Sequence, residues 1–361
     1  MKIAVGLSGG VDSAVTAYLL QQAGHEVIGA TMKIWDGRNL PGQKETTGAG
    51  SCYGPEEEVD IRDAQALCKL LGLPYHVIDC SRQYNDIVLR YFEDEYRVGR
   101  TPNPCVKCNE KVKFDLLPQL LEKSGIFFNY FATGHYARID FDRVLARYLL
   151  KKGVDQRKDQ SYFLYRLSQK QLSKIMFPLG GYTKEKVRAI ARQAGLPMHD
   201  KEESQDFCSG DYTKVLSMPN KPGNFVDPKG RILGQHTGIW NFTIGQRKGT
   251  KVAGGIPLYV VSINAEKNEI VLGTRELLFA QGLLAADLNI IAGKMPENAF
   301  VKTRSASEAV PCSIGYDGAE LNIVFDEPQL AITPGQSAVV YNGDVVVGGG
   351  IIADVKKTQA V

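Results

Sequence analysis

The chain lacks most of the features that place a protein at first sight. No stretch approaches eighteen consecutive apolar residues, which argues against a membrane span. The amino terminus enters an apolar run at once, without a signal-peptide pattern, so a cytoplasmic protein is expected. Seven cysteines are scattered through 361 residues without the dense spacing of a disulfide framework, which suits a reducing compartment. There is no low-complexity tract and no repeat of solenoid length. Composition is ordinary, 43% hydrophobic and 23% charged, and the length allows two or three domains with cores of their own. Net charge is only +3, yet residues 138–201 carry fifteen Lys or Arg against six Asp or Glu. That excess suits a polyanionic partner, or it reflects solvated helix faces.

What is present starts at the amino terminus. The run Ile3-Ala4-Val5-Gly6-Leu7 is followed by Ser8-Gly9-Gly10-Val11-Asp12-Ser13 and then by an apolar-periodic helix from Ala14 to Leu20. A strand, a glycine turn and a helix start form an anion cradle. Glycine lets backbone N–H groups come close, and the helix start adds unpaired donors. Asp12 can cap the helix or position a metal ion. No lysine follows the glycines, which excludes the Walker A loop. The form resembles the pyrophosphatase loop (PP-loop) of enzymes that cleave ATP between its α and β phosphates and adenylylate a carbonyl oxygen. A plain glycine-rich turn is the bland alternative.

Strand and helix patterns alternate over the first two hundred residues. Strands are expected at Glu26–Met32, Tyr75–Asp79 and Asn129–Thr133, and helices at Glu56–Leu71 and Tyr84–Val98. This predicts a doubly wound, mostly parallel sheet, with ligands beyond the strand carboxyl ends, where Ser8–Ser13, Met32 and Gly134-His135 converge. Two long polar loops, Asp36–Pro55 and Gly99–Asn109, interrupt it. Beyond about residue 210 short β-branched runs take over, and from Leu284 the pattern is nearly all β, with turns at Asp317-Gly318 and Asn342-Gly343. Three domains follow: 1–210, a small central 211–283, and a β-barrel at 284–361.

The cysteines divide by context. Cys68 and Cys80 sit at core-like positions and Cys312 reads as structural, while Cys52 is ambiguous. Cys105 and Cys108 lie three apart in a proline-braced segment expected to be a rigid exposed loop, where Lys107 and Lys111 would favour a thiolate. The pair could share a metal, form a redox couple, or act as nucleophile and neighbour. Cys208 follows a polar stretch from Glu202 to Phe207, unusual for a packing cysteine. An adenylylating loop, reactive thiols and a basic stretch together suggest sulfur transfer into a nucleic-acid base.

Residues Gly6–Ser13, Gly99–Pro104, Cys108-Asn109, Ala132–Tyr136, Lys158–Leu164, Cys208, Thr243–Gly249, Thr333–Ser337 and Gly348–Ile352 resemble, in order and over essentially the whole chain, the tRNA-specific 2-thiouridylases. The resemblance implies a PP-loop domain of adenine nucleotide α-hydrolase type, a central domain and a carboxy-terminal barrel. It implies a cytoplasmic, monomeric tRNA-uridine 2-sulfurtransferase that uses ATP with Mg²⁺, acts on uridine 34 of tRNA and takes sulfur from a persulfide donor protein. By motif position Gly6, Leu7, Ser8, Gly9, Gly10, Val11, Asp12, Ser13, Met32 and Gly134 would hold ATP. Asp12, Cys105, Cys108 and Cys208 would be catalytic, with Cys108 as the nucleophile that attacks a persulfide on Cys208, releasing hydrosulfide or leaving a disulfide with Cys208. Asn103, Pro104, Cys105, His135, Lys158, Asp159, Gln160, Arg304, Ser305 and Gln336 would contact tRNA. Two positions depart from the family pattern. Cys105 stands where members commonly carry Asp, and Ser305 where many carry Tyr. Cys105 could instead join Cys108 and Cys208 as ligands of a 4Fe–4S cluster. A PP-loop ligase of a small molecule and a non-enzymatic RNA-binding scaffold are the other classes.

Overall fold

In a computed structural model, which describes residues 1–37, 52–198, 207, 218–252 and 255–358, the chain divides into two compact units. Unit 1 comprises Met1–Val88, Pro104–Val215 and Asp344–Val346; unit 2 comprises Leu89–Asn103, Leu216–Gly343 and Val347–Val361.

Unit 1 is built on strands β1 (Lys2–Gly6), β2 (Glu26–Lys33), β3 (Tyr75–Asp79) and β4 (Tyr130–Ala132), a hairpin of β5 (Ala137–Asp142) and β6 (Arg147–Lys152), and β7 (Ile175–Met176). Five of them form one sheet in the order β3-β2-β1-β4-β7, with every neighbouring pair parallel. Ile3, Ala4 and Val5 are fully buried, as befits a central strand covered on both faces. The chain passes from β1 to β2 on one side and later to β4 on the other, so the order reverses at β1. A crevice opens at such a switch point, beyond the carboxyl ends. Helix α1 (Val11–Gln22) packs Val11, Ala14, Val15 and Ala17 into the same core as Val187 and Ala191 of the helix Lys184–Gln193. Helix α2 (Glu57–Leu71) adds Ala64, Leu67 and Cys68.

Unit 2 contains a four-stranded sheet, β10-β11-β8-β9, from β8 (Gly223–Val226), β9 (Ile232–His236), β10 (Tyr259–Asn264) and β11 (Glu269–Gly273). Its other part is an antiparallel barrel of β12 (Phe279–Ile290), β13 (Asn298–Lys302), β14 (Val310–Tyr316), β15 (Leu321–Leu330), β16 (Ser337–Asn342) and β17 (Val345–Lys357). The ring β12-β15-β14-β13-β16-β17 closes through pairing of β12 with β17. Closure removes the exposed edges that an open sheet would present.

Several expectations need correction. Residues 104–108 are not a loop: Pro104–Cys108 is helical and runs into a π-helical turn at Asn109–Leu116. Proline is tolerated at a first helical position because its missing N–H would be unpaired there anyway. The helix expected from Tyr84 to Val98 is split, with a π-turn at Asn85–Leu89 before Arg90–Arg97. The hairpin β5–β6 and strands β9, β12 and β14 were not legible. Of the loop Asp36–Pro55, residues 38–51 lie outside the described residues, as do Cys208 and the expected boundary near residue 210.

Candidate active site

The site begins where β1 ends. Gly9 has φ +68°, and a Cβ there would stand 2.7 Å from the Asp60 carbonyl oxygen, so glycine is required twice over. Ser13 ties the turn together: its Oγ donates to the Gly10 carbonyl at 3.0 Å and accepts from the Ser8 N–H at 3.2 Å. Gly10 caps α1 without a side-chain bond, which leaves first-turn N–H donors for an anion. Gly134, just past β4, presses on this helix start: a Cβ there would meet the Asp12 carbonyl carbon at 2.8 Å. A cavity of about 270 Å³ opens between the two strand ends. From Gly6 to Ser13 every residue except Gly9 is in its wall, together with Met32 and Gly134.

Asp12 does something the sequence does not suggest. It does not cap α1. Its Oδ1 and Oδ2 each accept from Lys184 Nζ at 2.8 Å, and Oδ1 also accepts from Tyr136 Oη at 2.8 Å. Lys184, counted above among the basic excess of residues 138–201, is buried at 7% exposure. Its own N–H donates to Asp155 Oδ2 at 3.0 Å.

Three further residues of the cavity wall carry charge or titrate: Glu57 and Lys113, which have no signal in the sequence, and His135, which is expected at this strand end. Glu57, in the first turn of α2, accepts from the Ile34 N–H at 2.6 Å and the Trp35 N–H at 3.1 Å. Burial pushes its carboxyl up to about 7, against the pull of those two bonds. Burial and the neighbouring Lys113 hold His135 well below the ordinary imidazole range, so its ring is neutral at pH 7. Lys113 itself lies in the wall.

Lys113 connects the cavity to the thiols. Cys108 is buried, and burial raises its thiol to about 11, with Lys113 pulling the other way through its charge and its backbone N–H. Lys107 and Lys111, expected to favour the thiolate, are not among the groups that shift it here, and the thiol remains raised. Cys105, one turn earlier on the same helix, is half-buried, and Cys52 is exposed at the cavity edge. Cys68, Cys80 and Cys312 are buried. Among the described residues no group of three potential metal ligands converges, and Cys208 is not among them.

A doubly wound sheet with this turn at its switch point, followed by a barrel, matches known proteins over almost its full length. Residues 1–209 match the family described as the tRNA methyl transferase HUP domain, 216–274 its PRC-barrel domain, and 280–352 an aminomethyltransferase beta-barrel domain. A tRNA-specific 2-thiouridylase MnmA of Endomicrobium trichonymphae is 49% identical over 98% of this chain and 99% of its own. The protein of the same name from Acetivibrio thermocellus is 46% identical over 97% and 99%, and that of Clostridioides difficile 43% over 97% and 98%. This chain belongs to the tRNA-specific 2-thiouridylase family.

Within unit 1, the positions that the family likeness links to tRNA fall in two groups. His135 and Gln160 are in the cavity wall, and His135 Nδ1 lies 2.7 Å from Thr133 Oγ1. Gln160 holds Tyr136 by backbone and side chain, its Oε1 accepting from the Tyr136 N–H at 3.0 Å. Asp159 accepts from the N–H groups of Gly153 and Ser161 and shapes the same loop. Lys158 and Cys105 are half-buried, and Pro104 is buried. In unit 2, Gln336 Nε2 donates to the carbonyls of Thr101 and Pro102 at 3.0 and 3.1 Å. Arg304 Nη2 donates to the Ala331 carbonyl and to Thr333 Oγ1, each at 2.7 Å. Asn103 is buried, and Ser305 is exposed. Gln336 and Arg304 are therefore engaged internally in this structure.

Proposed function

We propose that this 2-thiouridylase-family chain is a tRNA-uridine 2-sulfurtransferase that thiolates uridine 34 at the expense of ATP. One observation carries the reading: an anion-binding turn of the ATP-pyrophosphatase type shares a wall with Lys113, whose charge acts directly on Cys108. In the first step the uracil O2 attacks the α-phosphorus of ATP. The P–O bond to the β-phosphate breaks, and pyrophosphate leaves. The turn Gly6–Ser13, with Met32 and Gly134, binds the nucleotide, and its N–H groups take up charge on the phosphates. In the second step the Cys108 thiolate attacks Sγ of a persulfide on Cys208. A disulfide forms, and hydrosulfide departs. Hydrosulfide adds at C2 and expels AMP, and a thiol reductant then reopens the disulfide.

Mg²⁺ is assigned to the nucleotide rather than to Asp12, because both Asp12 oxygens are taken by Lys184 and a hard cation is well served by phosphate oxygens and water. Residues 1–210 would carry the chemistry, and 211–283 and 284–361 would hold the tRNA, with Asn103, Pro104 and Cys105 beside the target base. The sulfur arrives from a persulfide donor protein, and the chain acts as a cytoplasmic monomer. The test is incubation of the chain with a U34 tRNA transcript, ATP, Mg²⁺ and a persulfide donor. The expected result is 2-thiouridine at position 34 by mass spectrometry, with one AMP formed per thiolation. AMP formation without tRNA, or none with it, would sink the proposal. Anaerobic purification with iron and sulfide analysis tests the cluster alternative: stoichiometric iron lost in Cys108→Ser would replace the persulfide on Cys208 by hydrosulfide on a cluster.

A further inference from the structure

The phosphate turn has no lysine of its own, yet one stands behind it. Lys184 comes from a helix that starts 172 residues after Asp12, and both Asp12 oxygens accept from its Nζ at 2.8 Å. The ammonium is nearly sequestered, its side chain 9% exposed, while that of Asp12 is 26% exposed. Asp12 lines the cavity and Lys184 does not. Thr183 accepts from the Lys186 N–H at the helix start, and the Lys184 N–H is anchored on Asp155. Tyr136 adds a second donor to Asp12 and lies under the ammonium, its ring centroid 5.8 Å from Nζ. Gln160 in turn fixes Tyr136.

An aspartate in the first turn of α1 poses a problem for polyphosphate binding. It shares the cavity wall with the turn whose N–H donors would face the anion, and like charges repel strongly where water is scarce. An ion pair removes that repulsion, but a buried lysine costs desolvation and is kept only where it is paired. We infer that Lys184 is the positioning residue of the phosphate site. It neutralises Asp12 and holds it, so that the turn can accept the pyrophosphate end of ATP, and it acts through Asp12 rather than on the phosphates. The inference rests on the nucleotide assignment made above.

Binding without turnover tests it, with a non-hydrolysable ATP analogue and AMP titrated calorimetrically against wild type, Lys184→Met, Lys184→Arg, Asp12→Asn and the Asp12→Asn/Lys184→Met pair. Lys184→Met leaves Asp12 without its counter-charge. ATP-analogue affinity is expected to fall at least tenfold while AMP affinity moves less than twofold, a split that general loosening of the fold would not produce. Lys184→Arg recovers most of the loss. The double variant, with no orphan charge, returns to within about threefold of wild type. Unchanged analogue binding in Lys184→Met would overturn the inference. So would a double variant that binds as weakly as Lys184→Met, because Lys184 would then act on the phosphates directly. A wild-type chain that binds neither nucleotide fails the nucleotide assignment itself and takes the inference with it. Should Lys184→Met not fold, the double variant against Asp12→Asn decides alone: equal affinities uphold the inference, and a further tenfold loss overturns it.

Discussion

The two ends of the unit 1 site are built in opposite ways. At the nucleotide end the groups that matter are backbone N–H donors, fixed by Gly9, by Ser13 and by the pressure of Gly134, and they open onto a cavity. At the proposed sulfur end the candidate group is a side chain, Cys108, which is covered and whose thiol is raised to about 11. Anion binding profits from a rigid arrangement prepared in advance. A reactive thiol exposed at rest would be oxidised or spent on the wrong partner. Under the proposed function, the phosphate site would be prepared in advance and the candidate nucleophile kept covered, with a π-turn following it at Asn109–Leu116.

The contrast can be broken at either end. The largest effect is expected from Cys108→Ser: thiolation falls by about 10³-fold or more, while ATP-analogue affinity is unchanged in calorimetry. Loss of both would mean that the two ends are not separate. The closed state of Cys108 gives a pH test. With a thiol near 11, the thiolate fraction rises about tenfold per pH unit, so alkylation by iodoacetamide should accelerate about 100-fold between pH 7 and 9. A plateau by pH 8 would show an already activated thiol.

Glu57 sharpens the nucleotide end. Its carboxyl goes from the ordinary 4.5 to about 7 on folding, so the folded state binds more protons than the unfolded one between those values. The stabilising effect is complete below about 4.5 and is lost as pH rises through 7, about 3 kcal/mol in all. Glu57→Gln should flatten that part of the denaturation profile, and an unaltered slope would refute it. Gly134→Ala places a methyl group against the backbone of α1; a loss of about 2 kcal/mol with about tenfold weaker ATP binding is expected. The smallest effect falls in unit 2. Gln336→Ala removes two bonds to the 101–102 carbonyls and should cost about 1 kcal/mol in thermal unfolding. A drop in tRNA affinity well beyond that would mean that Gln336 also meets RNA.

The nucleotide end was legible because its chemistry is local. Strand, turn and helix start are consecutive, and glycine at positions 9 and 10 announces a backbone conformation rather than a side-chain contact. Its partners were not. Glu57 and Lys113 look like ordinary solvated charges on helices, and nothing in the spacing marks them. The prolines at 102 and 104 misled in the other direction, since a proline that opens a helix and one that braces a loop look alike in a sequence. The barrel was foreseen from its β-branched runs and glycine turns, but β12 and β14 escaped. Phe279–Ile290 is rich in Ala and Leu, and Val310–Tyr316 is interrupted by Pro311 and Gly315, so both are held by their neighbours in the ring.

By itself the sequence determined the alternation of strands and helices, the phosphate turn at the first strand end, the family and the cysteines worth watching. These depend on periodicity, on glycine and on residues close together in the chain. Only the tertiary structure decided that Asp12 is paired with Lys184, that Cys108 is covered and pulled by Lys113, and that Arg304 and Gln336 hold backbone within unit 2. Each of these depends on how far two charges or dipoles lie apart and how much water lies between them. Both quantities are set by packing between distant segments and by no local pattern.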